Sequence, residues 1–195
     1  MNTLYQRQTS QETRQRILAK ADQLIRHFGL AKTTVADIAA GLGMSPANIY
    51  KFFPSKDSII EASVEENLAE LKVSIEAAIS SASGALTRIE RLVLTVFHWR
   101  KRYVRDEPQL FESLCFAIAR DWKCVRDFRE FLLRKITDII EAGSRAGEFD
   151  TSDLSAPANL LIYCLAVVLD PAASDDPFTE ERVRALVGFL GRALR

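Results

Sequence analysis

Asn48, Tyr50, Lys51 and Lys56 fall within nine consecutive positions, and each carries a group that suits nucleic acid. An asparagine amide sets a donor beside an acceptor, the pattern that adenine N6 and N7 complete in the major groove. A tyrosine hydroxyl and lysine ammonium groups suit phosphate oxygens. No comparable set for catalysis is written in the chain: GxGxxG, the GxxxxGK phosphate loop, HExxH and GxSxG are missing, and no nucleophile stands beside a base at usable spacing. Two histidines, His27 and His98, and three dispersed cysteines, Cys115, Cys124 and Cys164, give neither a zinc site nor a disulfide framework. The expectation is a chain without enzyme activity, metal or cofactor.

Holding such groups against a groove takes a rigid support, and the surrounding stretch, TTVADIAAGLGMSPANIYKFFPSK, spells one out. Val35, Ile38, Ala39 and Leu42, then Ile49, Phe52 and Phe53, form two apolar patterns at helical spacing. Thr34 suits the N-cap of the first helix, with Asp37 in its first turn, where negative charge complements the dipole. Gly43 suits the left-handed position just past that helix. Ser45 caps a second helix whose first residue is Pro46, where an N–H is not needed. Ala39 is small where the two helices approach. The layout is a helix-turn-helix, whose second helix enters the major groove. The plainer alternative, an α-hairpin in a helical protein, is one that composition alone permits. On the first reading a helix from Ser45 to Phe52 turns Ser45, Ala47, Asn48, Tyr50 and Lys51 toward DNA, while Ile49, Phe52 and Phe53 anchor it.

The charge distribution agrees. The 195 residues are formally neutral, but residues 1–56 hold eight Lys or Arg against three Asp or Glu, and residues 57–195 hold eighteen against twenty-three. A basic part coincident with the helix-turn-helix supplies non-specific affinity for phosphate. With 48% apolar residues the chain can bury a sizeable core. The start, MNTLYQRQTSQETRQR, is polar and predicts no signal peptide. The longest apolar run, Leu160 to Leu169, is too short to span a bilayer. A cytoplasmic protein with reduced thiols is expected.

Taken in order, the periodicity predicts a first helix from Ser10 to Gly29 with Ile17, Leu18, Ala21, Leu24, Ile25 and Phe28 on one stripe, and Arg14, Arg16, Lys20 and Arg26 on the solvated face. Ser55 caps a long helix to about Ser81 that links the basic and acidic parts. Ala85 to about Arg105 is apolar on most sides and so central; its end, FHWRKRYVRDE, reads as core aromatics followed by dipole-satisfying cations rather than as a nucleic-acid platform. Helices then begin at Pro108 and Trp122, and Gly143 and Gly147 in GSRAGEFD are C-cap and turn residues. Two last helices, Ser155 to Leu169 and Thr179 to Leu194, flank DPAASDDPF. No strand pattern persists.

The quoted stretch resembles the N-terminal signature of the TetR/AcrR regulators, in which a hydroxyl residue precedes the first helix and a Tyr-x-x-Phe-x-x-Lys run, here Tyr50, Phe53 and Lys56, closes the unit. The GSRAGEFD turn is similar to one of that family. Ala47 and Phe52 depart from its commonest pattern, which has glycine and a histidine or tyrosine there. The resemblance implies that Tyr50 and Lys56 touch phosphate, that Thr34, Ser45, Ala47 and Asn48 lie at the groove, and that the C-terminal part binds a small hydrophobic effector. Phe97, His98, Tyr103, Phe111, Leu114, Cys115, Ile118, Trp122, Phe128 and Tyr163 come from separate helices and are candidates to line its pocket. Two apolar stripes at the chain terminus exceed what one core absorbs, so Leu161, Leu165, Val168, Val183, Leu186, Val187 and Leu190 are expected at a homodimer interface. The whole reads as all-α: a three-helix helix-turn-helix DNA-binding domain, residues 9–57, and a six-helix ligand-binding and dimerisation domain, residues 58–195. The expected function is transcription regulation, with the chain repressing from double-stranded operator DNA until the effector releases it. The alternative is a redox-sensing regulator switched at Cys115 or Cys124.

Overall fold

The computed structural model describes residues 2–150, 155–169 and 179–194, with side chains from Ser10 onward except at 155, 164–169 and 193. Among these residues every regular element is a helix: α1 (Asn2–Phe28), α2 (Val35–Gly41), α3 (Pro46–Tyr50), α4 (Lys56–Ser80), α5 (Ala85–Asp106), α6 (Pro108–Ala119), α7 (Lys123–Arg145), α8 (Ser155–Leu169) and α9 (Glu180–Ala193). DPAASDDPF, expected to join the last two, lies outside the described residues.

Two boundaries differ from expectation for physical reasons. α1 begins at Asn2 rather than Ser10, because no glycine or proline stands before Ser10 to stop it, and serine inside a helix costs less than about 0.7 kcal/mol. α3 is shorter than the expected Ser45 to Phe52. After Tyr50 the last turn tightens, with the Phe52 N–H donating to the Ile49 carbonyl at 2.9 Å, and Pro54 disfavours any further helical residue before it.

Packing divides the chain into two compact units, Met1–Asn67 with Asp106–Cys124, and Leu68–Arg105 with Val125–Arg195. α4 contributes residues to both units, and α6 joins the first, where it lies against α1. The first unit is built around Ile17, Leu18 and Ala21 of α1, Val35, Ile38 and Ala39 of α2, Ile49 and Phe53 at α3, and Ile59 of α4. Polar bonds tie its outer helices. The Ser63 hydroxyl of α4 donates to the Asp22 carboxylate of α1 at 2.5 Å, and Arg26 of α1 meets Glu107, the residue before α6, at 2.7 Å. Burial pushes the Asp22 carboxyl above its ordinary range, against the opposing pull of Ser63 and Arg26.

In the second unit α5 is central, with Leu92, Val93, Leu94, Val96, Phe97 and Trp99 all buried. Trp99 stacks on Tyr103 with ring centroids 4.4 Å apart, so the aromatics of FHWRKRYVRDE belong to the core. α7 packs with Phe128, Leu132, Ile136 and Ile140 inward. At its end Gly147 takes φ +73, and the Glu148 N–H reaches the Gly143 carbonyl at 2.8 Å, closing a Schellman turn. Gly143 is therefore not a cap but a buried helical residue, where an added Cβ would stand 2.6 Å from Ala85 Cβ and from the Phe149 ring. The Glu148 carboxylate accepts the Ala85 N–H at 2.7 Å and so satisfies the start of α5.

Candidate nucleic-acid interface

The turn between α2 and α3 is held by its own backbone. Thr34 and Asp37 form a capping box: the Asp37 N–H donates to the Thr34 hydroxyl at 3.2 Å, and the Thr34 N–H donates to the Asp37 carboxylate at 3.0 Å. Gly43 adopts φ +67, which lets the Gly43 and Met44 N–H groups donate to the Ala40 and Ala39 carbonyls at 3.1 and 2.9 Å. The Ser45 hydroxyl accepts the Asn48 N–H at 3.3 Å, and Pro46 stands at the first position of α3. Ile49 and Phe53 are buried beneath that helix.

Against this support Ser45, Ala47, Tyr50 and Lys51 are exposed and Asn48 is half-buried. The Asn48 amide, the Tyr50 hydroxyl and the Lys51 ammonium have no partner among the described residues, so all three are available to a ligand. Ser45 accepts at its oxygen and keeps its proton to donate. Thr34 differs: its hydroxyl donates to Asp37 at 2.6 Å, which leaves it a lone pair but no proton for a phosphate. The Lys56 ammonium donates to the Leu30 carbonyl at 2.6 Å, keeping two N–H donors and adding a structural role.

Arg14 is drawn into the same unit. Its Nη1 donates to the Phe52 carbonyl at 2.7 Å and its Cζ lies 4.2 Å from the Phe53 ring centroid, so one guanidinium grips both residues that follow the reader helix. Nothing in the sequence pairs it with a carbonyl 38 positions away.

Of the ten candidate pocket residues, Phe111, Leu114, Cys115, Ile118 and Trp122 belong to the first unit and Phe97, His98, Tyr103, Phe128 and Tyr163 to the second. Tyr163 is 71% exposed, too open to line a cavity. Cys124 is buried and Cys115 half-buried, which gives neither the exposed position of a reactive thiol. A cleft of about 280 Å³ does open in the second unit, lined by Leu71 and Ser74 of α4 and by Thr95, His98, Trp99 and Arg102 of α5; His98 is the candidate residue it contains.

Of the residues expected at the dimer interface, Leu161, Val183, Val187 and Leu190 are buried within the single chain and Leu186 is half-buried. The side chains of Leu165 and Val168 lie outside the described residues. Among the described side chains of α8 and α9, the exposed large apolar groups are Leu160, Tyr163 and Phe189. A lone phenylalanine on a polar face was the available signal.

Among the described residues no helix is long and apolar enough to cross a membrane, and no group of three His, Cys, Asp or Glu is placed to hold a metal. Comparison with known proteins agrees with the geometry. The profile of the bacterial regulatory proteins of the tetR family matches residues 17–63, and that of the tetracyclin repressor-like C-terminal domain matches residues 85–187. The uncharacterized HTH-type transcriptional regulator YvaF of Bacillus subtilis is 44% identical over 57 residues, 29% of this chain and 30% of that one. The nucleoid occlusion factor SlmA of Haemophilus influenzae is 26% identical over 167 residues, 82% of this chain and 75% of that one. The fatty acid degradation regulator FadR from Bacillus halodurans shares the fold, with TM-score 0.66 at 19% identity over 93% of each chain. With its capped helix-turn-helix inside the first match and more than half its length inside the second, the chain belongs to the TetR family of DNA-binding transcriptional regulators.

Proposed function

We propose that this regulator is a repressor that binds a pseudo-palindromic operator as a homodimer and leaves it when a small molecule occupies the second unit. DNA reading is assigned to residues 9–57, and effector binding and dimerisation to residues 58–195. The observation that carries the reading is the trio of unpartnered groups on α3, the Asn48 amide, the Tyr50 hydroxyl and the Lys51 ammonium, above the buried anchors Ile49 and Phe53. Asn48 reads a base, Tyr50 and Lys51 hold phosphate, and Lys56 adds a phosphate contact with its remaining donors. The exposed groups Leu160, Tyr163 and Phe189 support a two-fold contact through α8 and α9, which sets two reader helices on half-sites a helical turn or more apart. Because α4 contributes to both units, a shift of its second half on effector binding is carried to the residues that support α3.

Selection of bound duplexes from a random pool tests this. Recovery of an inverted repeat is the expected result, and recovery of a single half-site or of no consensus would refute the dimeric reading. With that operator, Asn48→Ala relaxes preference at one position per half-site, by about 1–3 kcal/mol. Lys51→Ala keeps the preference and lowers the slope of log K against log salt by about 0.9 per protomer.

A further inference from the structure

We propose that the α4–α5 cleft of the second unit is a binding site for a small aryl carboxylate that carries a hydroxyl at its far end. The identification of this ligand as the effector rests on the function proposed above; the binding itself does not. The floor is apolar and partly aromatic: Leu71 and Trp99 are buried, and Trp99 is held by its stack on Tyr103. A planar ring fits such a floor better than a branched aliphatic body.

Polar groups on the walls select the two ends of the ligand. Arg102 is exposed, and its guanidinium has neither a carboxylate nor a hydrogen-bond partner among the described residues, although this part of the chain is acidic in sum. A lone guanidinium offers paired N–H donors that match one planar carboxylate. The other basic side chain of the cleft, His98, is occupied, its Nε2 lying 3.0 Å from Glu180. Glu180 is in turn held by Arg184 at 2.7 Å. A second anionic group on the ligand would therefore face a carboxylate, and a monoanion is favoured.

The hydroxyls act oppositely. Ser74 donates to the Glu70 carbonyl at 3.0 Å and Thr95 donates to the Arg91 carbonyl at 2.7 Å, so both have committed their protons and present only lone pairs. They accept from a donor, which a ligand hydroxyl supplies. Thr95 and Arg102 stand seven residues apart on α5, about 10 Å along the axis at a 1.5 Å rise per residue. A ring with a short spacer before its carboxylate spans that distance and is well within about 280 Å³. A ligand with no polar group would leave Arg102 and both hydroxyls unanswered.

Calorimetric titration of the full chain with para-hydroxycinnamate, and with para-hydroxycinnamyl alcohol as its uncharged counterpart, tests the site. The acid is expected to bind about tenfold more tightly, the worth of one charge-assisted hydrogen-bonded pair. Arg102→Gln removes that preference without changing affinity for the alcohol. Thr95→Val, nearly the same shape, weakens para-hydroxycinnamate but not cinnamate. Absence of heat with both probes, equal affinity of the wild-type chain for acid and alcohol, or a preference that survives Arg102→Gln overturns the proposal. Release of operator DNA is measured separately: binding with the expected selectivity but no release supports the site and overturns the regulatory reading.

Discussion

Replacing Arg14 by glutamine separates two roles that an arginine near DNA can play. As folded, Arg14 donates to the Phe52 carbonyl at 2.7 Å and lies over the Phe53 ring at 4.2 Å. A hydrogen bond from a charged group is worth about 1.5–3 kcal/mol when sheltered, and a cation–π contact at an exposed site about 0.5–1 kcal/mol. The side chain is exposed, so solvent competes for both, and together about 1 kcal/mol of ordering at the end of α3 is a fair figure. A loosened reader must be re-ordered on DNA, which moves that cost into affinity. In a two-fold complex it counts twice, about 2 kcal/mol or roughly 30-fold. Anisotropy titrations on a selected operator over a salt series read the effect. The expected outcome for Arg14→Gln is a weaker complex with blunted base discrimination and an unchanged salt slope, partly rescued by Arg14→Lys, whose ammonium still reaches the carbonyl but stacks poorly. If Arg14 is instead a phosphate ligand, the slope drops by about 0.9 per protomer and discrimination stays intact; that result would refute the clamp.

Further outcomes follow from burial and titration. Phe189→Glu should give monomers by sedimentation with an unchanged melting curve, because the side chain is 61% exposed, whereas Val187→Glu should lose the fold itself, because Val187 is buried in the single chain; an intact Phe189→Glu dimer would move the interface off α9. Asp22→Asn should raise the melting temperature at pH values above the folded pKa of Asp22, where ionising this half-buried carboxyl costs stability. A carboxyl whose folded pKa is raised contributes its stability fully below the unfolded value and loses it as pH rises through the folded one, so the gain should shrink as pH falls toward 3.8; a gain independent of pH would remove the titration argument. Gly143→Ala should destabilise by about 1–3 kcal/mol in denaturant unfolding, since its Cβ would meet Ala85 and Phe149 at 2.6 Å, and a neutral change would mean that α5 and α7 yield more easily than close packing allows.

What was legible in this sequence is what depends on neighbours a few residues apart. Thr34 with Asp37, Gly43 with Ala40, Met44 with Ala39, and Ser45 with Asn48 each make bonds that close within one turn, so residue types at fixed offsets specify them. The bonds from Arg14 to Phe52 and from Lys56 to Leu30 end on backbone carbonyls, which every residue possesses, and residue type therefore carries no trace of the pairing. The cleft was missed for a related reason. Its hydroxyls and its arginine sit on two helices otherwise recognised by their apolar stripes, and what marks Arg102 is that it has no partner among the described residues, a property that sequence does not contain. The terminal helices show the remaining limit. Periodicity in Val183, Val187 and Leu190 establishes that a stripe is buried but not by what, and here the single chain buries it. Phe189 falls off that stripe, and it is this misfit, an exposed aromatic standing on the face that carries Arg182, Ala185 and Arg192, on which the proposed contact with a second copy rests.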